Sequence, residues 1–428
     1  MSLQAQKIAV IGSGISGLAS AYFLQREHHV TLFEAGPYFG GHSNTVDIVV
    51  GGVKLSVDTG FLVFNRKTYP NLIALFDELG VESYDTDMSF GVSINGGELE
   101  WAGTNLDTVF AQRLNLLKPS FLLMLRDILR FNRDAETNLR ESLVSKISLG
   151  DLLKKGGYDR RFQEHYLVPM AAAIWSSSPS DILDFPASTF LRFCLNHALL
   201  QVNDRPTWKT VKNGSRSYVR KIIDTLKDAR LNSAVTAVKR IENQVEVHTA
   251  GGVEMFDQVV FATHAPTSRA IIQDASEQEQ TVLSQFRYQA NRAVLHTDTS
   301  LLPHNKKVWS AWNYLGESQP ADTQDQAVCV SYLLNQLQRL NTEQAVIVTL
   351  NPSHEPKPET ILRSFEYEHP IFDQAAIDGQ EALHTIQGKN RLWFAGAWSG
   401  YGFHEDGLKS ALRVVKEFQL HPTWTTLP

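Results

Sequence analysis

The sequence predicts an α/β fold that contains a parallel sheet. Three observations predict it. A glycine-rich turn lies between a strand pattern and a helix pattern near residue 12, and a second glycine-rich segment precedes a helix pattern near residue 407. Short alternating strand patterns also occur between residues 231 and 263. A chain of 428 residues is long enough for two or roughly three domains.

The first element is a βαβ unit at residues 7–35. The run KIAVI is an apolar strand pattern, a helix pattern follows the glycines, and the run HVTLF predicts the second strand. Three glycines separate the first strand from the helix with the spacing GxGxxG: Gly12, Gly14 and Gly17. Such a turn lets the backbone approach a pyrophosphate, and Glu34 follows at the position where a carboxylate accepts hydrogen bonds from a ribose diol. The unit therefore predicts a Rossmann-type dinucleotide-binding domain.

Further motifs bear on which dinucleotide is bound. Gly40, Gly41 and His42 follow the ribose position, and Gly60 follows a hairpin pattern at residues 46–57. At the other end, the strand pattern RLWFA precedes Gly396, the string GFHEDG at residues 402–407, and a helix pattern at residues 408–418. A helix that begins there would direct its positive N-terminal end at a bound group that carries negative charge.

Together these motifs resemble the FAD-dependent amine oxidase superfamily, which includes monoamine oxidases, protoporphyrinogen oxidase and phytoene desaturases. Within it, the chain is most similar to bacterial predicted NAD/FAD-binding proteins, which are often encoded beside cyclopropane-fatty-acid-synthase-like methyltransferases. The strings that carry this likeness are GGH at 40–42, LHTD at 295–298, WNY at 312–314 and GFHEDG at 402–407. The chain departs from the superfamily at His42, where arginine is usual, and at Trp398, where an acidic residue is usual.

The resemblance implies that FAD is bound in an extended form. The glycine turn and Glu34 would hold the pyrophosphate and the adenosine ribose, Val235 would contact the adenine through its backbone, and the C-terminal helix would face the flavin. The predicted cofactor-binding residues are Gly12, Ser13, Gly14, Ile15, Ser16, Gly17, Glu34, Ala35, Gly40, Gly41, His42, Gly60, Val235, Gly396, Asp406, Gly407 and Leu408.

The same resemblance divides the chain into two interleaved domains. We expect residues 1–85, 205–268 and 386–420 to form the FAD-binding domain, and residues 86–204 and 269–385 to form the α+β substrate-binding domain. The chain contains one GxGxxG motif, so no second dinucleotide domain is predicted. The electron donor is therefore expected to be an organic substrate, which makes the protein an oxidase, dehydrogenase, desaturase or isomerase.

Two residues are candidates for catalysis. His404 directly precedes the predicted flavin-facing helix and is the best histidine for proton transfer, although a structural histidine held by local backbone is an open alternative. The superfamily often has a lysine near the flavin N5 on the strand that here spans residues 289–296. That strand has no lysine, and Arg292 is its nearest cation, although arginine is no base at neutral pH. The fourteen histidines show no HExxH string, so no metal site is predicted.

Composition excludes several classes of protein. A net charge of -6 gives no general attraction to nucleic acid, and two cysteines exclude a disulfide scaffold and suit a reducing compartment. No signal peptide and no transmembrane span are predicted, so we expect a cytoplasmic protein. The oligomeric state is left open.

We predict a hydrophobic substrate of fatty-acyl or phospholipid type. The segment 118–133 places Phe121, Leu122, Leu125, Ile128 and Leu129 on one helical face. This face would either contact a membrane peripherally or pack in the core of the substrate domain. Two other functions stay open at this point, a true amine oxidase and a non-catalytic lipid-binding escort protein on the same fold.

Overall fold

The computed structural model describes residues 4–201, 206–316, 328–422 and 424, and it shows a mixed α/β fold. The strands are β1 (Lys7–Ile11), β2 (His29–Phe33), β3 (Thr45–Val50), β4 (Val53–Asp58), β5 (Phe64–Asn65), β6 (Ser83–Thr86), β7 (Phe90–Ile94), β8 (Leu99–Ala102), β9 (Trp208–Val211), β10 (Ala229–Arg230), β11 (Val235–Ile241), β12 (Gln244–Thr249), β13 (Gly252–Phe256), β14 (Gln258–Phe261), β15 (Arg287–His296), β16 (Trp312–Gly316), β17 (Cys329–Leu333), β18 (Ile347–Leu350), β19 (Ile361–Ile371) and β20 (Leu392–Phe394).

The α-helices are α1 (Ile15–Leu24), α2 (Pro70–Leu79), α3 (Leu106–Val109), α4 (Pro119–Ser145), α5 (Leu149–Lys155), α6 (Arg160–Phe162), α7 (Val168–Trp175), α8 (Pro179–Asp184), α9 (Ala187–Asn196), α10 (Arg216–Ile223), α11 (Ala265–Ile271), α12 (Glu277–Ser284), α13 (Leu334–Leu337), α14 (Gln374–Ala382) and α15 (His404–Glu417). Helices α6 and α7 are joined by a π-helical turn at Gln163–Leu167. None of the helices in the described ranges combines the length and apolar character needed to span a bilayer.

A five-stranded parallel sheet with the order β10-β2-β1-β14-β20 organises one end of the molecule. Its strands come from three separated parts of the chain, and β1, β2, β14 and β20 are almost entirely buried. Burial on both faces is typical of parallel sheets and explains why these strands read as continuous apolar runs. The predicted α/β fold class with a parallel Rossmann-like sheet is confirmed.

A second, seven-stranded sheet with the order β19-β15-β18-β17-β16-β7-β8 forms the other half of the molecule. Its neighbours are antiparallel except for the parallel pair β16–β7. Strands β7 and β8 come from the first predicted substrate-domain segment and the other five strands from the second. The domain boundaries themselves stay predictions, and the one between residues 204 and 205 lies outside the described residues.

Helix α4 buries a face that differs from the predicted one. Phe121, Met124, Asp127 and Phe131 are buried, whereas Leu122 and Leu129, which the sequence pattern assigns to the same face as Phe121, are exposed. The spacing of three and four residues along the buried set lets α4 pack against α6 and α9. The two halves of the predicted apolar face therefore have different environments. Asp127 tolerates burial because its carboxylate accepts a hydrogen bond from the backbone N–H of Asp159 and contacts two arginines.

Helix α15 also differs from the prediction, because it begins at His404 instead of residue 408. The string GFHEDG therefore supplies the first turn of the helix. The carboxylate of Asp406 accepts a hydrogen bond from the backbone N–H of Phe403, which satisfies a donor that the helix leaves without a partner. An acidic side chain three residues into the helix is a recognised start signal, which the glycines obscured.

Glu405 fastens α15 to α2. Its buried carboxylate accepts hydrogen bonds from the backbone N–H groups of Asn71 and Leu72, at 3.1 and 2.9 Å, and from the side-chain amide of Asn71. We predict that Glu405→Ala lowers the free energy of unfolding by about 1–3 kcal/mol, because it removes the carboxylate that accepts these three hydrogen bonds. Urea unfolding monitored by circular dichroism measures the loss. Glu417→Ala, at the exposed end of the same helix, is the control and should change stability by no more than about 0.5 kcal/mol.

Candidate functional site

A cavity of about 620 Å³ lies between the two large sheets. Residues just beyond the carboxyl ends of β1, β2, β14 and β20 line it: Gly12, Glu34, Ala262 and Gly396. Ligands of open α/β sheets bind at this edge, where the loops diverge. The seven-stranded sheet and the helices near it form the opposite wall.

The predicted glycine turn forms one end of the cavity. Gly12 has φ +97°, and a Cβ atom on Gly17 would lie only 1.8 Å from the carbonyl oxygen of Gly12, so both positions require glycine. Gly14 differs, because its φ of -62° suits any residue and no heavy atom would lie within 4 Å of a Cβ atom added there. Ser13, Ile15 and Ser16 also line the cavity. The open space at Gly14 is the space that a pyrophosphate group requires in this motif.

Glu34 connects the turn to the loop after β2. Its carboxylate accepts hydrogen bonds from the backbone N–H and the hydroxyl of Ser13, and from the backbone N–H of Gly36 at 2.8 Å. The hydroxyl of Ser13 in turn accepts from the backbone N–H of Gly40 at 3.1 Å. A carboxylate has about four acceptor positions, so Glu34 retains capacity for a ribose hydroxyl. Ala35 lines the cavity beside it.

His42 lines the cavity and contacts strand β19 of the seven-stranded sheet. Its ring stacks on Tyr367 at 4.9 Å and lies 5.1 Å from the ring of His369. Its Nε2 is buried and has no hydrogen-bond partner among the described residues. Burial and the neighbouring histidines lower the pKa of His42 well below its usual value, so the ring is neutral. A neutral ring offers a hydrogen bond in place of the fixed charge of arginine.

Gly60 and Gly41 hold the loop around His42. A Cβ atom on Gly60 would lie 2.3 Å from the carbonyl oxygen of His42, and Gly41 has φ +57°. Both line the cavity with Gly40. Val235, by contrast, begins β11 and does not line it, although the nearby backbone N–H of Ser233 donates to the carbonyl of Glu34 at 2.8 Å. The adenine contact assigned to Val235 stays a prediction.

Asp406, Gly407 and Leu408, three of the predicted C-terminal residues, lie outside the cavity lining. Gly407 packs against α1, where its carbonyl accepts a hydrogen bond from the hydroxyl of Ser16 at 2.9 Å, and Leu408 is fully buried. Burial raises the pKa of Asp406 to about 6. None of the three lines the cavity, whereas Gly396 and Trp398 do. Trp398 donates its indole N–H to the carbonyl of Thr263 at 3.1 Å, so it joins two cofactor-side loops.

His404 lines the cavity and is held on three sides. Its ring stacks on Phe61 at 3.6 Å, and its Nε2 lies 2.8 Å from the hydroxyl of Ser43 and 3.3 Å from that of Tyr218. Burial lowers the pKa of His404 to about 3, so the ring is neutral at pH 7. A base with so low a pKa is weak, because a catalytic base works best with a pKa near the working pH. These contacts suit a neutral hydrogen-bonding group, and the proton-transfer role of His404 stays a prediction.

Arg292 lies elsewhere. It is on β15 and does not line the cavity. Its guanidinium forms a bidentate ion pair with the carboxylate of Glu355, in which Nη2 and Oε2 are 3.0 Å apart. Successive side chains of a strand point to opposite faces, so the neighbouring Asn291 is buried while Arg292 points outward. The predicted catalytic role of Arg292 is corrected on this ground.

Strand β19 supplies residues that the sequence did not indicate. Tyr367, Glu368 and His369 line the cavity. The hydroxyl of Tyr367 lies 2.7 Å from that of Thr59, and the ring of His264 contacts the carboxylate of Glu368 at 3.1 Å. The string EYEH alternates charged and aromatic residues, which is typical of a strand with one solvent-exposed face. The alternation does not show that this strand lies beside the cavity, because its position depends on its pairing with β15.

The residues present fit an extended dinucleotide with a flavin. The open space at Gly14, the backbone donors of the glycine turn and the unpartnered Nε2 of His42 all face one continuous cavity. Gly12–Ser16, Glu34 and Gly40–His42 would hold the pyrophosphate and ribose portions. The segment Gly396–Trp398 and the start of α15 would lie against the redox-active ring.

We predict that Gly14→Val removes cofactor binding without unfolding the protein, because the valine side chain fills space that only the cofactor needs. The visible flavin absorption of the purified variant measures retention. Gly103→Val is the matched control, since its Cβ position is also open but lies outside the cavity. A Gly14→Val variant with full flavin content would contradict the assignment of the turn.

The depressed pKa of His404 predicts a pH dependence of stability. Between about pH 3 and 6.5 the unfolded chain holds a proton at His404 that the folded chain lacks, so this group destabilises the fold as the pH falls through that window. In His404→Gln, the unfolding free energy should fall by about 2 kcal/mol less between pH 6 and pH 4 than in the unmodified protein. Urea titrations at both pH values measure the difference. His29→Gln, at an exposed position, is the control.

Comparison with known proteins places this geometry in a family. The model of the family "Flavin containing amine oxidoreductase" matches residues 15–417. A comparison with curated proteins gave no match.

Among solved structures, the chain is similar to a fatty acid isomerase from P. acnes that produces CLA, with a TM-score of 0.67 and 15% identity over 97% of this chain and 99% of that one. It is also similar to a putative protoporphyrinogen oxidase from Exiguobacterium sp. 255-15, with a TM-score of 0.65 and 16% identity over 97% and 99% of the two chains. Cyclohexylamine oxidase from Brevibacterium oxydans gives a TM-score of 0.65 and 15% identity over 97% and 100%. At these identities the likeness shows a shared fold, and the family match extends over most of the chain. The chain belongs to the family of flavin-containing amine oxidoreductases, and it is an FAD-dependent oxidoreductase.

Proposed function

We propose that this enzyme oxidises or isomerises the uncharged acyl part of a lipid. When bound, FAD supplies the hydride acceptor of such a reaction. The observation that carries the proposal is the composition of the cavity lining outside the predicted cofactor-binding residues. Most of this apolar wall is made of apolar and aromatic side chains, with Ser176 and His197 beside them: Leu62, Val63, Met88, Ile174, Phe193, Leu199, Trp312, Tyr332, Val348 and Leu350.

The charges around the cavity favour an uncharged group. No lysine or arginine is among the described residues that line it. A free fatty-acid carboxylate therefore has no cationic partner there, and burying it unpaired would be costly. An acyl chain whose ester or amide head group stays outside meets no such penalty. The predicted phospholipid or fatty-acyl class is consistent with this wall.

The second candidate, an amine, has one observation in its favour. Glu368 lines the cavity and could attract an ammonium group. Its carboxylate is, however, already in contact with His264 and is largely exposed, so it offers a weak and screened attraction. The other lining carboxylate, Glu34, binds Ser13 and Gly36 at the glycine turn. An amine would therefore lack a dedicated acidic partner against the apolar wall.

The protein's own residues orient the substrate and exclude water. His404, kept neutral by burial and in contact with Phe61 and Ser43, can accept or donate one hydrogen bond beside the flavin position. Tyr367 and His369, from the opposite sheet, face the same region. Burial lowers the pKa of His369 to about 4, so this ring is also neutral. Neutral groups of this kind orient an uncharged substrate without drawing charged competitors into the cavity.

Anaerobic mixing of the flavin-loaded enzyme with an unsaturated phosphatidylcholine tests the proposal. We expect the oxidised flavin band to bleach, or double bonds in the recovered lipid to shift when analysed by mass spectrometry. Cyclohexylamine and putrescine are the comparison substrates. If they bleach the flavin while the lipid is neither oxidised nor isomerised, an amine oxidase activity replaces the lipid activity.

A variant of the apolar wall gives a second test. Ile174→Trp places a larger side chain on the apolar wall, so it narrows the cavity while leaving the glycine turn unchanged. We predict an increase in KM for the lipid of about tenfold or more with unchanged flavin content, because a larger side chain occupies the space for the acyl chain. Steady-state kinetics at fixed enzyme concentration measures it. Loss of flavin together with activity would show instead that this part of the wall belongs to the cofactor site.

A further inference from the structure

A cluster of exposed leucines lies at residues 106–129, a segment that contributes no residue to the cavity lining. We call it the leucine surface, and it comprises α3, the 3₁₀ turn Arg113–Leu117 and the first part of α4. Its exposed members are Leu106, Leu114, Leu116, Leu117, Leu122, Leu123 and Leu129. They are seven of the twelve exposed large apolar residues of the described chain. Isolated exposed leucines are ordinary, but a cluster of this size indicates an interaction surface.

The leucines protrude from the molecule. Leu117, Leu106 and Leu114 are 81%, 76% and 72% exposed, which leaves most of each side chain free of protein contact. The backbone beneath them is nevertheless well anchored. Phe121 is buried, and its ring packs on those of Phe110 and Trp101 at 5.8 and 6.3 Å. A firm base with protruding apolar tips suits insertion into a soft apolar medium better than packing against a flat protein face.

The charges of this surface are opposite to those of the whole chain. Arg113, Lys118 and Arg126 are exposed among the leucines, and Arg130 is partly exposed. The one exposed acid in this range, Asp107, contacts Arg113 and Lys307, and the buried Asp127 contacts Arg126. Residues 106–129 therefore hold three basic and two acidic side chains, a small net positive charge on a chain whose net charge is -6. Basic residues beside apolar ones are complementary to the anionic head groups and acyl region of a lipid bilayer.

The same charges argue against a second copy of the chain as the partner. A symmetric dimer through this surface would bring the net positive charge of one copy towards that of the other. Like charges brought together in this way disfavour association. We propose that the leucine surface docks the protein on a bilayer that contains anionic lipids. This proposal is independent of the substrate, because it involves none of the cavity-lining residues.

Co-sedimentation of the flavin-loaded, full-length protein with vesicles tests it. The vesicles contain either phosphatidylcholine alone or a mixture of phosphatidylcholine and phosphatidylglycerol. We expect binding to the mixed vesicles that weakens as salt is added, since the basic contribution is screened. Leu114→Ser combined with Leu117→Ser should lower the partition coefficient about tenfold or more. Lys118→Gln combined with Arg126→Gln should lower it several-fold on the mixed vesicles only.

The control variant changes Leu143 and Val144 to serine. Both are exposed apolar residues on α4, but they lie near its far end, about 40 Å from Leu117 along the helix. Their replacement should leave vesicle binding unchanged. Flavin content and circular dichroism verify that each variant is folded. If the Leu114 and Leu117 variant does not fold, the Lys118 and Arg126 variant still decides the test.

Three results would overturn the proposal. The first is that the unmodified protein does not bind phosphatidylglycerol vesicles. The second is that the Leu114 and Leu117 changes lower binding no more than the Leu143 and Val144 changes. The third is a dimer in size-exclusion chromatography that the Leu114 and Leu117 changes dissociate, which would assign the surface to a second copy of this chain.

Discussion

The contact between the two ends of the chain is the constraint on which the rest of the structure depends. Gly407 lies against α1, where a Cβ atom would be 2.7 Å from the side chain of Ile15 and 2.9 Å from the hydroxyl of Ser16. The Ser16 hydroxyl donates to the Gly407 carbonyl, and the Ser410 hydroxyl, which also donates there, accepts from the backbone N–H of Gly396. Close packing of these helices therefore couples the glycine turn to the C-terminal segment. It also fixes where His404 points.

The electrostatic character of the cavity follows from this enclosure. Histidines that would be near their pKa in water are neutral here, because surrounding protein removes the solvent that stabilises the charged form. His42, His369 and His404 all show lowered pKa values for this reason. Three neutral rings and an apolar wall are suited to hydride chemistry on an uncharged substrate, where a buried free charge would have to be compensated. The departure from arginine at His42 fits that environment.

The βαβ unit and its parallel sheet can be predicted from the sequence because their signals are local. The glycines before α1 and the apolar runs of β1 and β2 determine a βαβ unit whatever surrounds them. The buried face of α4 and the start of α15 were less well predicted, since they depend on what the helices pack against. Asp127 is buried, and its carboxylate accepts a hydrogen bond from Asp159 in a loop distant in sequence. Leu122 is exposed, although the helical pattern predicts that it shares a face with Phe121. Arg292 was misassigned for the same reason, because only the pairing of β15 with its neighbours fixes which side chains face the cavity.

We infer that both ends of the chain close around one FAD molecule. The protein is incubated with excess FAD and NAD, free ligand is removed, and mass spectrometry of the acid-released cofactor measures which dinucleotide the protein holds and how much. We expect FAD in equimolar amount with the chain and no retained NAD. Retention of NAD in place of FAD, or of neither, would contradict this inference.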